Sequence, residues 1–346
     1  NNGRNGHLQS IKERINWDIK RLGNIISHWE NKQISYTADE IISVFQKAAN
    51  EQTLFNFMNG ITAQLRQMGK HRTSETYHAT LRSFMQFREN KDILLDEIDS
   101  DLMLMYEAWL RNRGLSKNSS SFYMRILRAV YNRAVEKELT SNRNPFKHVY
   151  TGIDKTVKRA ISLKAIKKIK NLDLSLQPAL DFARDMFLFS FYTRGMSFID
   201  MAHLKKKDQQ NGILSYRRRK TGQQLLVKWE KCMQEIADKH KTDYGSPYLL
   251  QILKHPYDNR SQYKNALYRT NKNLKEVAKL ADISIPLTLY VARHSWASIA
   301  KSKNIPISVI SEGMGHDSEM TTQIYLASLD NSVVDRANTQ ILRDLL

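Results

Sequence analysis

The sequence has one cysteine, Cys232, among 346 residues. A single thiol excludes an internal disulfide framework and any zinc or iron–sulfur site built from cysteines, and it fits a reducing cytoplasm. Proline and glycine are also sparse, at six and 13, so few positions force the backbone out of a helix. No run approaches the roughly 18 consecutive apolar residues of a membrane-spanning helix. The common phosphate and metal signatures are missing as well. There is no GxxxxGK(S/T) loop for a nucleotide, no HExxH, no His and carboxylate cluster at metal-ligand spacing, and no GxSxG elbow. The sequence opens Asn1-Asn2-Gly3 without a methionine, as either a fragment or an engineered start would, and no signal peptide is visible.

What is present is positive charge. Lys and Arg number 54 against 35 Asp and Glu, a formal net charge of +19. The excess is concentrated: residues 151–300 hold 28 basic and 13 acidic side chains. Such a field attracts polyanions, of which nucleic acid is the commonest. A membrane surface fits less well, because no amphipathic helix pairs a Lys-rich face with a Trp and Phe face. With 41% hydrophobic residues the chain has material for two or three packed domains.

Helical periods dominate. Residues 8–50 read as one or two amphipathic helices, with Ile11, Ile15, Ile19, Leu22 and Ile26 on one stripe. Further helices are expected near 53–68, 74–88, 98–111 and 118–138. The last has Phe122, Ile126, Val130 and Ala134 as its buried stripe and Arg125, Arg128 and Arg133 turned away. Residues 50–148 then form a bundle of four or five helices. Asn144-Pro145, Thr151-Gly152 and the charges from Lys155 to Arg159 break the pattern, and 149–158 reads as a linker. Beyond it, helices are expected near 163–171, 178–193, 197–204, 230–241, 261–281, 288–303, 306–313 and 318–327. Ile213–Arg219 and Gln224–Trp229 alternate around Lys220-Thr221-Gly222 as a β-hairpin.

Without metal or nucleotide signatures, chemistry on nucleic acid would need Arg, Lys and His to neutralise a phosphate and a side chain as nucleophile. The basic region holds such a set. Phe191 to Asp200 joins two helices through Gly195 and presents Arg194. The hairpin carries Lys220 beside Arg217, Arg218 and Arg219. The helix from Thr288 carries Tyr290 and Arg293, three residues apart and so on one face. Gly313-Met314-Gly315-His316-Asp317 places a histidine after a glycine turn, and Tyr325 follows nine residues later.

These motifs, in this order, resemble the catalytic domain of the tyrosine recombinases, the phage-integrase family. Ala292-Arg293-His294-Ser295-Trp296-Ala297, Gly315-His316 and Thr321-Thr322-Gln323-Ile324-Tyr325 are similar to its arginine, histidine and nucleophile blocks. Residues 50–148 resemble its helical, SAM-like core-binding domain, and the closest flavour is the integrases of conjugative transposons and related mobile elements. The fold implied is mainly α: the SAM-like bundle, the linker 149–158, and a mostly helical catalytic domain over 159–346 with a small antiparallel hairpin or sheet and a C-terminal tail helix. Residues 1–49 would be an N-terminal helical coupling segment, joining the bundle to an arm-binding domain if one lies upstream. Two positions depart from the family pattern. Ser197 follows Gly195-Met196 where an arginine is usual, so Arg194 or another arginine would have to replace it. Tyr290 stands where a histidine is usual, and a phenol with a pKa near 10 is a poor base at neutral pH.

The resemblance implies cleavage of duplex DNA by Tyr325 through a 3′-phosphotyrosyl intermediate, with no metal, ATP or other cofactor. Arg293, with Arg194 or a substitute, would neutralise the phosphate. Tyr290 and His316 would bond its oxygens or take the tyrosine proton, Lys220 would protonate the leaving 5′-oxygen, and Ser197 is a further candidate that a helix N-cap also explains. Asp200 would orient a neighbouring group. Arg125, Arg128, Lys158, Arg159, Arg217, Arg218 and Arg219 are candidate phosphate contacts. The two domains would close on double-stranded DNA as a clamp. A homotetramer would assemble on two DNA sites, with a monomer or dimer off DNA, and an accessory DNA-bending host factor would join it. The apolar Val333, Val334, Ile341, Leu342, Leu345 and Leu346 suit a tail that packs on a neighbouring protomer or on its own domain. The expected location is the bacterial cytoplasm, on the nucleoid when bound. Integration, excision and inversion are not distinguished, and a type IB-like topoisomerase or an inactive DNA-binding or directionality factor would share much of this pattern.

Overall fold

The structure, a computed structural model, describes residues 2–50, 53–154, 159–242, 245–253, 259–326, 339, 342 and 343. The chain divides into two compact units, residues 1–155 and 156–346.

The first unit contains α1 (Asn2–Asn31), α2 (Ala38–Asn50), α3 (Leu54–Gln67), α4 (His71–Phe87), α5 (Ser100–Asn112) and α6 (Lys117–Glu136). Two of these helices open on a side-chain cap. The Asp99 carboxylate accepts the Leu102 N–H at 2.8 Å and opens α5, and Ser116 does the same for Ser119 in α6. The core forms around Tyr106, fully buried and edge-on to Phe84 at 5.0 Å, with its hydroxyl donating to Ser83 Oγ at 2.8 Å. Burial pushes that phenol's pKa far up. In α6 the buried apolar residues are Met124, Ile126, Leu127, Val130, Tyr131 and Ala134, whereas Phe122, expected on this stripe, is exposed. A helix repeats every 3.6 residues, not every four, so a stripe stepped by four drifts off the core at its end. On α1, Ile15 and Ile19 are also exposed.

Residues 149–154, read above as the first part of a linker, lie against this unit. Val149 is buried, Tyr150 N–H donates to Glu107 Oε1 at 3.0 Å, and Asp154 exchanges hydrogen bonds with the Asn118 side chain at 2.7 and 3.0 Å. Lys117 sits 4.2 Å over the Tyr150 ring. Composition alone does not reveal these contacts, because they depend on where α5 and the start of α6 come to rest.

The second unit is built on α8. In order it has α7 (Leu163–Lys170), α8 (Pro178–Tyr192), α9 (Phe198–Ala202), β1 (Gln209–Gln210), β2 (Ile213–Arg217), β3 (Gln224–Lys228), α10 (Lys231–Lys239), α11 (Asn259–Leu280), α12 (Leu289–Ser302), α13 (Ile307–Met314) and α14 (Glu319–Leu326). The run Met186-Phe187-Leu188-Phe189 is buried on every side, as a helix packed against several others must be. It meets α7, α10, α11 and α12. The three strands form an antiparallel sheet in the order β1-β2-β3, pairing Leu214 with Val227 and Tyr216 with Leu225. Those four side chains are buried, and their neighbours in sequence alternate outward. A charge cluster ties α8 to α10: Asp185 meets Arg184 Nε at 2.6 Å, Lys239 Nζ at 2.8 Å and His240 Nε2 at 2.8 Å. A smaller core of Ala297, Ala300, Ile310, Met314 and Leu326 joins α12, α13 and α14.

Candidate active site

Two tight helix ends create the site. At the end of α8, Arg194 N–H donates to Phe191 O and Gly195 N–H to Ser190 O, the pairing of a Schellman cap. Arg194 holds a left-handed φ of +61°, followed by Gly195 at +78°. The glycine is needed twice over. Besides its φ, a Cβ there would sit 2.7 Å from Arg293 Cα and Cγ. At the end of α13, Gly315 (φ +63°) makes the second such turn, and His316 N–H closes it on Ser311 O at 3.0 Å.

Between these turns Arg293 enters from α12. It is 7% exposed. Its Nη1 donates to Gly195 O at 2.8 Å, and its Nη2 donates to Met314 O at 2.8 Å and to His316 Nε2 at 3.0 Å. A guanidinium has no acceptor. His316 Nε2 must therefore offer its lone pair, and the proton sits on Nδ1, which donates to the buried Thr322 Oγ1 on α14 at 2.8 Å. Burial first, then the charges of Arg293, Arg218 and Lys220, bring the His316 pKa down to about 4, so the ring is neutral at pH 7.

Ser197 caps α9. Its hydroxyl donates to Asp200 Oδ2 at 2.6 Å and receives the Asp200 N–H at 3.4 Å. The other Asp200 oxygen accepts the Arg219 N–H at 2.9 Å. The buried Asp200 thus fastens the hairpin connection to α9. The run Arg217–Arg219, read above as three equivalent phosphate contacts, is split by strand alternation. Arg217 and Arg219 are exposed, with Arg217 Nη1 on Gly222 O at 2.9 Å, while Arg218 is 8% exposed and bonds Gly315 O. Lys220 is exposed on the same connection, within electrostatic reach of His316.

The remaining candidates are less closely gathered. Arg194 is half-buried, with its aliphatic stem near Gly313. Tyr290 is exposed, its ring edge-on to the buried His294 at 4.6 Å. Tyr325 lies on α14, three residues beyond Thr322. Its side chain lies outside the described residues, as do Lys158 and the tail residues Val333, Val334, Ile341, Leu345 and Leu346. Leu342 is exposed. In the first unit, Arg128 Nη1 donates to Thr151 Oγ1 at 3.0 Å. Arg125 Nε is buried without a hydrogen-bond partner among the described residues. Arg159 is exposed. Sequence reasoning did not single out Thr322 as the partner of His316, or the buried place of Arg218. The first stands inside a motif already quoted, and the second follows from counting strand alternation through Tyr216.

Positive charge converging on a neutral imidazole, which bonds Thr322 one helical turn before a tyrosine, suits a phosphodiester whose negative charge grows as it is attacked. That is the class of nucleic-acid strand transferases with a side-chain nucleophile. Residues 53–168 match the phage integrase SAM-like domain, and residues 184–332 match the phage integrase family. The tyrosine recombinase XerA of Pyrococcus furiosus is 27% identical over 246 residues, covering 68% of this chain and 79% of that protein. A lambda integrase dimer bound to a COC′ core site superposes with a TM-score of 0.62 at 16% identity, over 79% of this chain and 95% of that one. A lambda integrase tetramer bound to a Holliday junction also gives 0.62, at 15% identity, over 82% and 81%. The chain belongs to the phage integrase family of tyrosine recombinases. It is a site-specific DNA strand transferase of the kind that works through a phosphotyrosyl intermediate without metal or ATP.

Proposed function

We propose that the chain integrates or excises a mobile element, with Tyr325 as its nucleophile. The observation that carries the assignment of roles is the 3.0 Å pair of Arg293 and His316, held one helical turn before Tyr325 through Thr322. The Tyr325 oxygen attacks the phosphorus of a scissile phosphate, and the P–O5′ bond breaks. Arg293 turns N–H groups from carbonyl oxygens to the non-bridging oxygens. A phosphate beside His316 raises the pKa of its ring, which then accepts the phenol proton. Lys220, on the exposed hairpin connection, gives a proton to the departing 5′-oxygen. The phosphodiester energy stays in the 3′-phosphotyrosine, and a 5′-hydroxyl from a second duplex reverses the step. Tyr290 adds a hydrogen bond to the phosphate from the exposed end of α12.

Residues 50–148 serve in this reading as the core-binding domain and 159–346 as the catalytic domain, with 1–49 as a helical coupling segment. Arg125, Arg128, Lys158, Arg159, Arg217 and Arg219 contact backbone phosphates, which position the protein without reading sequence. The lambda integrase tetramer on a Holliday junction supports four protomers acting on two duplexes. The protein works in the cytoplasm, on the nucleoid when bound, with a DNA-bending host protein as a further partner. The test uses nicked duplexes carrying a core site selected from random DNA for attachment that survives denaturation. Wild-type protein gives a denaturation-resistant protein–DNA band in EDTA, and Tyr325→Phe abolishes it. Salt-sensitive DNA binding with no covalent band overturns the reading in favour of an inactive binding factor.

A further inference from the structure

A phosphate flanked by one guanidinium is poorly neutralised, and the position after Met196 that would supply a second holds Ser197, whose hydroxyl is committed to Asp200. We propose that Arg218 is the second guanidinium, a catalytic residue delivered from the hairpin instead of from the start of α9. This assignment rests on the recombinase reading above and names one more residue of the same site.

The argument is geometric. Arg293 Nη2 bonds Met314 O and Arg218 Nη1 bonds Gly315 O, so the two guanidinium groups occupy consecutive carbonyls at the end of α13. His316 is the next residue. A Cβ on Gly315 would lie 2.7 Å from Arg218 Cδ, so the glycine is what lets this stem pass. Carbonyls at a helix C-terminus carry partial negative charge and hold cations in place until a full anion arrives. Among the described residues the Gly315 bond is the only one the Arg218 side chain makes, which leaves most of its five N–H donors for a ligand. Gln223 Oε1, buried with no hydrogen-bond partner among the described residues, would lie 3.0 Å from that same Cβ. It offers the guanidinium a second acceptor when the phosphate draws it off the carbonyl. The Arg218 backbone is clamped as well, with N–H to Gln223 O at 2.8 Å and O from Gly222 N–H at 2.8 Å. The Asp200 bond to Arg219 N–H fixes the next residue.

Arg194 is the competing candidate. Its stem runs past Gly313, whose would-be Cβ lies 3.6 Å from Arg194 Cδ and 3.2 Å from the Trp296 ring. The charges of Arg293, Arg218 and Lys220 bear on His316 and lower its pKa, with Asp317 acting in the opposite direction.

Charge at the scissile phosphate discriminates between them. The selected nicked duplex is prepared with an ordinary scissile phosphate and with a methylphosphonate, which lacks the negative non-bridging oxygen. Arg218→Ala loses about 100- to 1,000-fold in covalent-complex rate on the phosphate, and the methylphosphonate restores it to within about ten-fold of wild type. Arg218→Lys keeps a cation and retains an intermediate rate on the phosphate. Salt-dependent DNA binding and thermal unfolding of each variant report whether it is folded. A merely structural Arg218 gives a loss that the methylphosphonate does not restore, and that result overturns the assignment. So does Arg218→Ala that keeps its rate, or rescue seen with Arg194→Ala and absent with Arg218→Ala. Wild-type protein that forms no covalent complex on either duplex sinks the recombinase reading itself, and this assignment with it.

Discussion

Replacing Gly195 with alanine tests how closely the turn after α8 must approach Arg293. The new Cβ would stand 2.7 Å from both Arg293 Cα and Cγ, and the first of these is backbone that cannot swing aside. Overpacking of this kind costs about 1–3 kcal/mol. The φ of +78° adds about 1 kcal/mol for a residue with a Cβ. The sum is about 3 kcal/mol, which for a unit of this size lowers Tm by about 6–12 °C. Gly222→Ala isolates the backbone part, because its φ is +75° and nothing lies within 4 Å of the new methyl. It loses only about 2–4 °C. The backbone shift in Gly195→Ala also displaces the carbonyl that holds Arg293 Nη1, so covalent-complex formation on the nicked duplex falls at least about ten-fold. Thermal unfolding followed by circular dichroism and the band assay measure the two effects. Equal melting temperatures for Gly195→Ala and Gly222→Ala would refute the reasoning.

Three other outcomes follow from the same geometry. An unfolded chain's imidazole takes up a proton near pH 6.5, while His316 stays neutral down to about 4. Its contribution therefore makes folding stability fall as pH drops from 6.5 to 4; an NMR titration gives the His316 ring a midpoint near 4, and a midpoint near 6.5 contradicts the site as described. Burial works against the charged Asp185, yet hydrogen bonds from His240 and Lys239 and the Arg184 charge pull its carboxyl below the usual range. Asp185→Asn removes a buried acceptor from Arg184, Lys239 and His240 while Arg184 and Lys239 keep Asp181, costs about 1.5–3 kcal/mol in urea unfolding, and a loss under about 0.5 kcal/mol is inconsistent with the cluster joining α8 to α10. Ser197→Ala removes a cap worth about 1 kcal/mol and lowers the covalent-complex rate by no more than a few-fold; a hundred-fold loss would mean that the hydroxyl meets the phosphate.

The elements most legible in the sequence are those with a strong period or a stop signal. Pro178, the run Met186–Phe189 and the turn at Gly195 outline α8, and alternation about Lys220-Thr221-Gly222 outlines β2 and β3. Arg293 and His316 were readable because both sit in short distinctive motifs. Other features depend on distant partners. The packing of Val149–Asp154 on α5 and α6 requires Glu107 and Asn118 to be in place. The exposure of Phe122 is a matter of helical phase. Whether Ser197 faces a ligand or Asp200 is decided three residues downstream by the Asp200 carboxylate, and the burial of Arg218 depends on a glycine 97 residues away.

The claim that Tyr325 becomes joined to DNA has a direct measurement. Covalent complexes trapped on the nicked duplex are digested with nuclease and protease, and the nucleotide-bearing peptide is sequenced by mass spectrometry. The account predicts a 3′-phosphonucleotide on the Tyr325 phenol. The modification on another side chain, Tyr290 or Ser197 included, or attachment through a 5′-phosphate, would contradict it.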